Sequence, residues 1–480
     1  MKGLGSTTAS RATPKALILM VIGMTLLLAV DLCYTYPSLA SWKIPTTMGT
    51  EAPPNVTGTP PVKDELPCQK LEGGEDVLVV MRTGATEIKD KLPAHLNTTL
   101  QCYNNYIIFS DYEEDFEGYH VHDLLADVED DVKENHPDFA LWRRLRAHGR
   151  ESLDDAELSG AVSQDSGATG KTENHGWKLD KWKFLPMALR TLDLHPDFAW
   201  YTFVEPDTYI VWSNLLDWLH QLDPTEPLYF GSEVQIGPDV FAHGGSSFVI
   251  SNPALRKVAS LYQENAADWH VLTSTHWAGD CILGKALAES GTPLTWSWPM
   301  FQGGNPHTMD FKESKPDGRD LWCAPAISYH HLSPSEIESM FAFEQEWLRA
   351  TQRHKENSSV KSGYISWRQT ERMRIHHQDV FRSYVLPSTI AGDRSDWSNL
   401  SPELRAGTQN STLEECRAMC EASRGCVQYS VAEMGCFFSQ EGKMGQAAEG
   451  VQAGWIEDRM RASADAHGVC ERKVMGWTVT

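Results

Sequence analysis

The chain has 480 residues, 41% of them hydrophobic, with 17 tryptophans and a formal net charge of −23. That length suits about three domains, and the apolar content is ample for a sizeable core, which excludes an intrinsically disordered chain. The acidic balance, with no clustered stripe of Lys and Arg, argues against a nucleic-acid partner, because phosphate contacts need basic residues.

Residues 16–30 (ALILMVIGMTLLLAV) form an uninterrupted apolar run after Lys2, Arg11 and Lys15, with no acidic residue before it. This predicts a cytosolic tail at 1–15 and a transmembrane signal-anchor at 16–36, with the remainder across the membrane. The run is short for a full span of about 20 residues, which suits a thin early-secretory or Golgi membrane. A signal peptide cleaved near Ser38-Leu39-Ala40 is the competing reading. Either way residues from 37 onward reach the secretory lumen. Sequons at Asn55, Asn97, Asn357, Asn399 and Asn410 agree with that compartment. So do the cysteines, all but Cys33 lying beyond the anchor, where disulfides persist.

Residues 37–74 are rich in Pro, Thr and Gly without periodicity and read as a stem. The runs DVLVVMRTG at 76–84 and YIIFSD at 106–111 read as buried strands ending in polar turns, with a helix expected over 89–103 between them. Strand, helix, strand is the unit of a parallel sheet. Residues 151–173, poor in aromatics and rich in Ser, Gly and Ala, read as a surface insertion. Helical spacing over 177–192, with Trp182, Leu185 and Leu189 on one face, leads into a strand at 198–204. A helix at 214–222, strands at 228–231 and 248–250, and helices at 280–287 and 336–351 complete a domain assigned to 75–350. Residues 351–395 are polar and read as a linker. A module with five cysteines follows over 396–480.

The chemistry centres on the turn Glu205-Pro206-Asp207 after strand 198–204. Two carboxylates at the carboxyl end of a buried strand face the crevice where open α/β sheets bind ligands. Held so close, they repel unless a cation lies between them, and a hard divalent ion takes oxygen ligands of this kind. The alternative is a strand followed by a solvated acidic turn.

In order along the chain, this turn is followed by EPLYFG at 226–231, HGGSSFVIS at 243–251, GDCILG at 279–284 and the segment from Cys323 to His331. Together these stretches resemble the fringe and core-1 β-1,3-galactosyltransferase group, glycosyltransferase family 31, over residues 75–335. The resemblance implies an α/β fold, a GT-A-like nucleotide-sugar transferase domain, on a single-pass type II anchor in the Golgi membrane with the catalytic domain lumenal. It puts Glu205 and Asp207 at the Asp-x-Asp position that holds Mn²⁺ on a UDP-sugar. His330 would complete the metal shell, with His331 as its competitor. Asp280 falls where inverting members keep a general base, which takes a proton from a glycan or glycoprotein hydroxyl; from the residues alone it could equally cap a helix.

The remaining carry-over concerns ligand contacts. Arg82, Thr83 and Gly84 fall where the nucleotide would lie. Asp180, Lys181 and Lys183 precede the metal motif, where a cation could meet the diphosphate. Gly244 and Gly245 match a close-approach loop beside the acceptor. From the residues alone, Trp177, Trp296 and Trp298 could stack on sugar rings, although burial in the core is the commoner fate of a tryptophan. Two departures stand out: Glu with a central Pro replaces the first Asp, and Gly279 replaces the usual Glu. The activity implied is inverting transfer of a hexose, with a β-1,3 linkage. A non-catalytic relative acting as chaperone or scaffold, and a binding protein working through its C-terminal module, are the alternatives.

Among the cysteines, the resemblance implies a Cys281–Cys323 bridge and leaves Cys68 for Cys102. The series Cys416, Cys420, Cys426, Cys436 resembles a PAN/apple domain, a small disulfide-rich α+β module. That pattern implies Cys416–Cys436 and Cys420–Cys426; zinc is the alternative for such clustering, although a lumenal setting favours disulfides. Cys470 is left over, either free or joining two chains in a disulfide-linked dimer.

Overall fold

The apolar runs expected as strands form the centre of an eight-stranded mixed sheet. In chain order the strands of the first part of the chain are β1 (Val77–Arg82), β2 (Tyr106–Ser110), β3 (Glu114–Phe116), β4 (Tyr119–Asp123), β5 (Trp200–Val204) and β6 (Tyr209–Ile210). They continue as β7 (Tyr229–Gly231), β8 (Glu233–Ile236), β9 (Asp239–Ala242), β10 (Phe248–Ser251), β11 (Thr295–Trp296) and β12 (Ser328–Tyr329). The large sheet has the order β11-β7-β10-β5-β1-β2-β4-β3, while β8 pairs with β9 and β6 with β12. This computed structural model describes residues 65–158, 174–315, 318–356 and 374–466, with 468, 470, 476 and 477. Among the described residues no helix is long and apolar enough to cross a membrane, and the run at 16–30 lies outside them.

Strand β1 runs parallel to β2 and β5, with Val80 opposite Ile107 and Phe203, whereas β10 is antiparallel to both β5 and β7. Successive side chains go to opposite faces. Val77, Val79 and Met81 enter one core with Trp200 and Val204, and Leu78 and Val80 enter the other with Tyr201 and Phe203. Burial on both faces is why these strands read as continuous apolar runs. Helices Phe184–Leu194 and Asn252–Glu264 cover the second face; Ile88–Asn97, Trp212–Leu219 and Pro334–Glu356 cover the first. The helix expected over 177–192 is two helices, His175–Asp180 and Phe184–Leu194. Pro186 sits in the first turn of the second, where its missing N–H has no intrahelical partner to lose.

The C-terminal region carries β13 (Arg394–Ser398), β14 (Glu403–Leu404), β15 (Gln428–Ala432), β16 (Gly435–Ser439) and β17 (Gln446–Trp455), ordered β13-β17-β15-β16-β14. Helix Leu413–Ala422 begins with a capping box: the Thr412 hydroxyl accepts from Glu415 N–H, and the Glu415 carboxylate accepts from Thr412 N–H. Cys416–Cys436 ties this helix to β16, and Cys420–Cys426 ties it to the residues entering β15. Cys68–Cys102 closes the start of the domain.

Three expectations need correction. The Cys281–Cys323 bridge is absent: Cys323 is joined to Cys470, and Cys281 is a buried free thiol. Helix Gly279–Glu289 turns Cys281 into an apolar cluster with Phe241 and Ala278, away from Cys323. Cys470 is therefore not left over for an interchain bond. The second correction concerns 374–390, placed in the linker. Ile375 is fully buried; its N–H donates to Asn214 Oδ1 at 3.0 Å, and its carbonyl accepts from Ala326 N–H at 3.0 Å. Buried His377 accepts from the Tyr329 hydroxyl at 2.7 Å and donates to the Pro299 carbonyl at 2.9 Å. Burial lowers its pKa to about 3, so it holds this wall as the neutral ring. Residues 357–373 lie outside the described residues.

The third correction is a sequon. Asn399 is fully buried, and its amide donates to the carbonyls of Tyr429 and Gly454 at 3.0 and 3.1 Å, leaving no room for a glycan. Asn97 and Asn410 are exposed, and Asn55 and Asn357 lie outside the described residues.

Candidate functional site

Parallel pairing of β1 with β5 sets Met81 opposite Val204, so Arg82 and Glu205 leave the sheet side by side. The short β6–β12 pair, with Tyr209 opposite Tyr329, brings the segment after Glu205-Pro206-Asp207 against the segment holding His330. Leu332 N–H donates to the Asp207 carbonyl at 2.9 Å and fixes the juxtaposition. Around these groups lies a cleft of about 360 Å³ at the carboxyl end of the sheet.

Most of the expected residues line it: Arg82, Gly84, Asp180, Lys181, Lys183, Glu205, Asp207, Gly244, Gly245, Asp280 and His330. Thr83 is buried beneath the wall, where its carbonyl accepts from Lys183 Nζ at 2.8 Å. The Lys181 ammonium is directed to Asp138, at 3.0 Å, and to the Ser274 carbonyl, so its charge is committed to the wall.

The electrostatics are tightly coupled. Arg82 bridges Asp180 and Glu205 and stacks 4.0 Å from the Phe184 ring. Lys183 lies 3.0 Å from Asp111. Lys91, on helix Ile88–Asn97, reaches Glu87 at 2.9 Å and Asp207 at 3.1 Å. Burial disfavours ionisation of Asp207, but Lys91 and then His330 outweigh it and hold the carboxyl far below the usual range. Burial raises the Glu205 pKa, with Asp207 adding to the effect and Arg82 opposing it. Among the described residues, the lining Arg and Lys side chains all face carboxylates already.

Two buried groups keep atoms that no hydrogen bond satisfies. Asp207 and His330 are 3% and 5% exposed, and Asp207 Oδ1 and both His330 ring nitrogens make no hydrogen bond. His330 Nε2 lies 3.2 Å from Asp207 Oδ1 without the direction of one. Such atoms cost about 1–3 kcal/mol each when unsatisfied, and they mark a place where a ligand completes the structure. Ligand atoms of Asp207, His330 and His331 lie within 4.8 Å of one another, a spacing and donor set that suit a divalent cation. His331 has φ 61°, a left-handed backbone that directs the second ring of the pair.

Asp280 lies in the first turn of helix Gly279–Glu289, after Ala278 rather than at the cap itself. Its carboxylate accepts from Gly244 N–H and from Cys281 N–H, both at 2.9 Å. Burial nevertheless raises its pKa above the ordinary carboxylate value.

Sequence reasoning missed two residues of helix Ile88–Asn97. Lys91 is one. The other is His95, whose Nε2–H donates to the Pro206 carbonyl at 2.9 Å while Nδ1 accepts from Thr99 at 2.8 Å. Burial lowers its pKa to about 4, so a neutral ring pins the acidic turn. The signal was only a Lys and a His four apart on one helical face.

The glycines have a steric explanation. A Cβ on Gly245 would lie 2.2 Å from the His330 ring, and one on Gly244 3.0 Å from Phe184. A Cβ on Gly279 would fall 2.6 Å from Lys181 Cα, so this chain has no room for a glutamate there. Of the tryptophans proposed to stack, Trp177 lines the cleft, Trp298 is buried beneath Lys315, and Trp296 is exposed on edge strand β11 away from it.

No protein-family model matches the chain. Over 162 residues it is 24% identical to glycoprotein-N-acetylgalactosamine 3-beta-galactosyltransferase 1 of Xenopus laevis, a match covering 30% of this chain and 44% of that protein. The chain thus matches less than half the length of this relative, and the similarity supports a glycosyltransferase relationship.

Proposed function

We propose that the chain is an inverting, metal-dependent glycosyltransferase that moves a hexose from a UDP-sugar to a glycan or glycoprotein hydroxyl, with a β-1,3 linkage. The observation that carries this reading is the buried Asp207–His330 pair, whose Oδ1 and ring nitrogens make no hydrogen bond, in the same cleft as a carboxylate of raised pKa. Asp207, His330 and His331 would hold the cation, and Glu205 would reach it indirectly; Mn²⁺ suits this mixed carboxylate and imidazole set. When bound, the metal neutralises charge on the departing diphosphate.

The protein's own contribution is positional. Asp280 takes the proton of the acceptor hydroxyl as that oxygen attacks the anomeric carbon, which inverts an α-linked donor to a β product. Two backbone N–H groups keep its carboxylate aimed, and burial keeps it basic. Arg82 and Lys183 hold Asp180 and Asp111, so the floor of the cleft is rigid before any ligand arrives. The anchor at 16–36 would place this chemistry in the Golgi lumen.

One observation favours a second reading, a non-catalytic scaffold: Lys91 already sits on Asp207 and Arg82 on Glu205. A single experiment separates the two. Full-length protein is assayed for UDP release from a panel of UDP-sugars with and without Mn²⁺. We expect release that requires Mn²⁺ and falls at least about a hundredfold in Asp207→Ala. No release and no donor binding with any sugar or metal would leave the scaffold.

A further inference from the structure

Trp277 is 62% exposed, whereas the other described cleft tryptophan, Trp177, is half-buried and Phe184 is buried, and it lines the cleft three residues before Asp280. It is not held loosely. Ala278 is buried with Phe241 and Cys281, and its N–H donates to His276 Nδ1 at 3.0 Å. Gly279 is wedged against Lys181 and Phe184. His276 lies nearly parallel to the indole, with 9° between planes and 6.3 Å between centroids. Both neighbours on its carboxyl side are therefore fixed, and the indole is presented outward between helices Ala266–Thr275 and Gly279–Glu289.

A large apolar ring kept in water at a polar cleft has lost the burial that normally holds a tryptophan, and such placement points to a ligand that covers it. The apolar C–H face of a pyranose matches an indole, and the polar groups around its rim suit the sugar hydroxyls. Because Trp277 belongs to the element that carries the base, we propose that it is the platform on which the acceptor stacks. The acceptor is therefore the pyranose ring of a glycan rather than a peptide hydroxyl. This inference rests on the transferase reading for its place in the reaction, but the stacking itself does not depend on it.

The test uses full-length protein, UDP-sugar with Mn²⁺, and p-nitrophenyl glycosides of galactose, N-acetylgalactosamine and N-acetylglucosamine as acceptor probes. Two readouts are taken, steady-state KM values and direct glycoside binding by calorimetry. In Trp277→Ala we expect acceptor KM and Kd to rise about tenfold, the scale of one lost aromatic stack, while donor KM moves less than about twofold. Trp277→Phe should recover most of the loss. Equal acceptor affinity in wild type and Trp277→Ala, or a matching rise in donor KM, overturns the proposal. Glycoside binding that depends on Trp277 without any UDP release would sink the transferase reading and keep the platform.

Discussion

The cleft and the C-terminal region solve the problem of buried polar groups in opposite ways. In the cleft, Asp207 and His330 are buried with atoms that find no partner, and the carboxylates around them are held by Lys91 and Arg82. In the C-terminal sheet the polar core is saturated. Gln428 donates to the Asn399 carbonyl at 2.6 Å and accepts from Lys443 N–H at 2.8 Å, and Arg459 donates to four backbone carbonyls. Among the described residues between 391 and 466, no buried side-chain polar atom lacks a partner. Unsatisfied groups carry a standing cost until a water, ion or ligand meets them, whereas satisfied ones rigidify a scaffold. The contrast marks the cleft as the working region and the C-terminal sheet as its support.

The largest effect expected breaks the cleft without breaking the fold. Asp280→Asn keeps the shape and removes the proposed base, so kcat should fall about a thousandfold with little change in the unfolding midpoint. Its pH profile gives a second check. In the proposed mechanism the working form is the carboxylate, and burial raises the folded-state pKa, so wild-type rate should fall as pH drops through that raised value. The acidic limb should disappear in the residual activity of Asp280→Asn. A limb that persists there would assign the titration to another group.

The next effect reverses the comparison. Cys323–Cys470 spans 147 residues and ties the C-terminal segment to the wall that carries Tyr329 and His330. Buried Val427, Met444 and Trp455 share one apolar cluster with Tyr209 and Tyr329. The double variant Cys323→Ser, Cys470→Ser should lose about 2–5 kcal/mol in chemical denaturation, while Mn²⁺ affinity of the folded protein changes little. Unchanged stability would mean that the bridge only joins elements already locked by packing.

How far the sequence was legible follows the same division. The strands at 77–82, 106–110 and 200–204 announced themselves because burial on both faces leaves an apolar run. Glu205 and Asp207 could be nominated because they follow a buried strand at its carboxyl end, whereas His330 and Asp280 were nominated only through the family resemblance. What stayed hidden depends on long-range contact. Lys91 and His95 look like the surface of an amphipathic helix until that helix is laid across the Glu205-Pro206-Asp207 turn. The resemblance pairs Cys281 with Cys323, and only the helix direction shows that Cys281 turns into an apolar cluster instead. Gly279 looks like a lost carboxylate and is a steric necessity. Residues 374–390 are polar by composition, yet Ile375 and His377 complete hydrogen bonds that no local pattern encodes.

The smallest effect is the sharpest test of the contrast, because it sets one half-buried cation of each region against the other. Lys91 is shared between Glu87 and Asp207, with its side chain 15% exposed, so it supplies the charge that a bound cation would otherwise give to Asp207. A divalent ion must settle beside it, and two like charges at close range repel even at the higher effective dielectric of a cleft. Lys91→Met keeps the stem and removes the charge, so Mn²⁺ affinity measured by calorimetry should tighten about tenfold, or about 1.4 kcal/mol. Arg459→Met in the C-terminal region is the matched control: it leaves four backbone carbonyls without their donor and should cost stability while leaving Mn²⁺ affinity unaltered. Weaker Mn²⁺ binding in Lys91→Met would show instead that the lysine orients Asp207 toward the metal. No change would mean that the cation does not use Asp207.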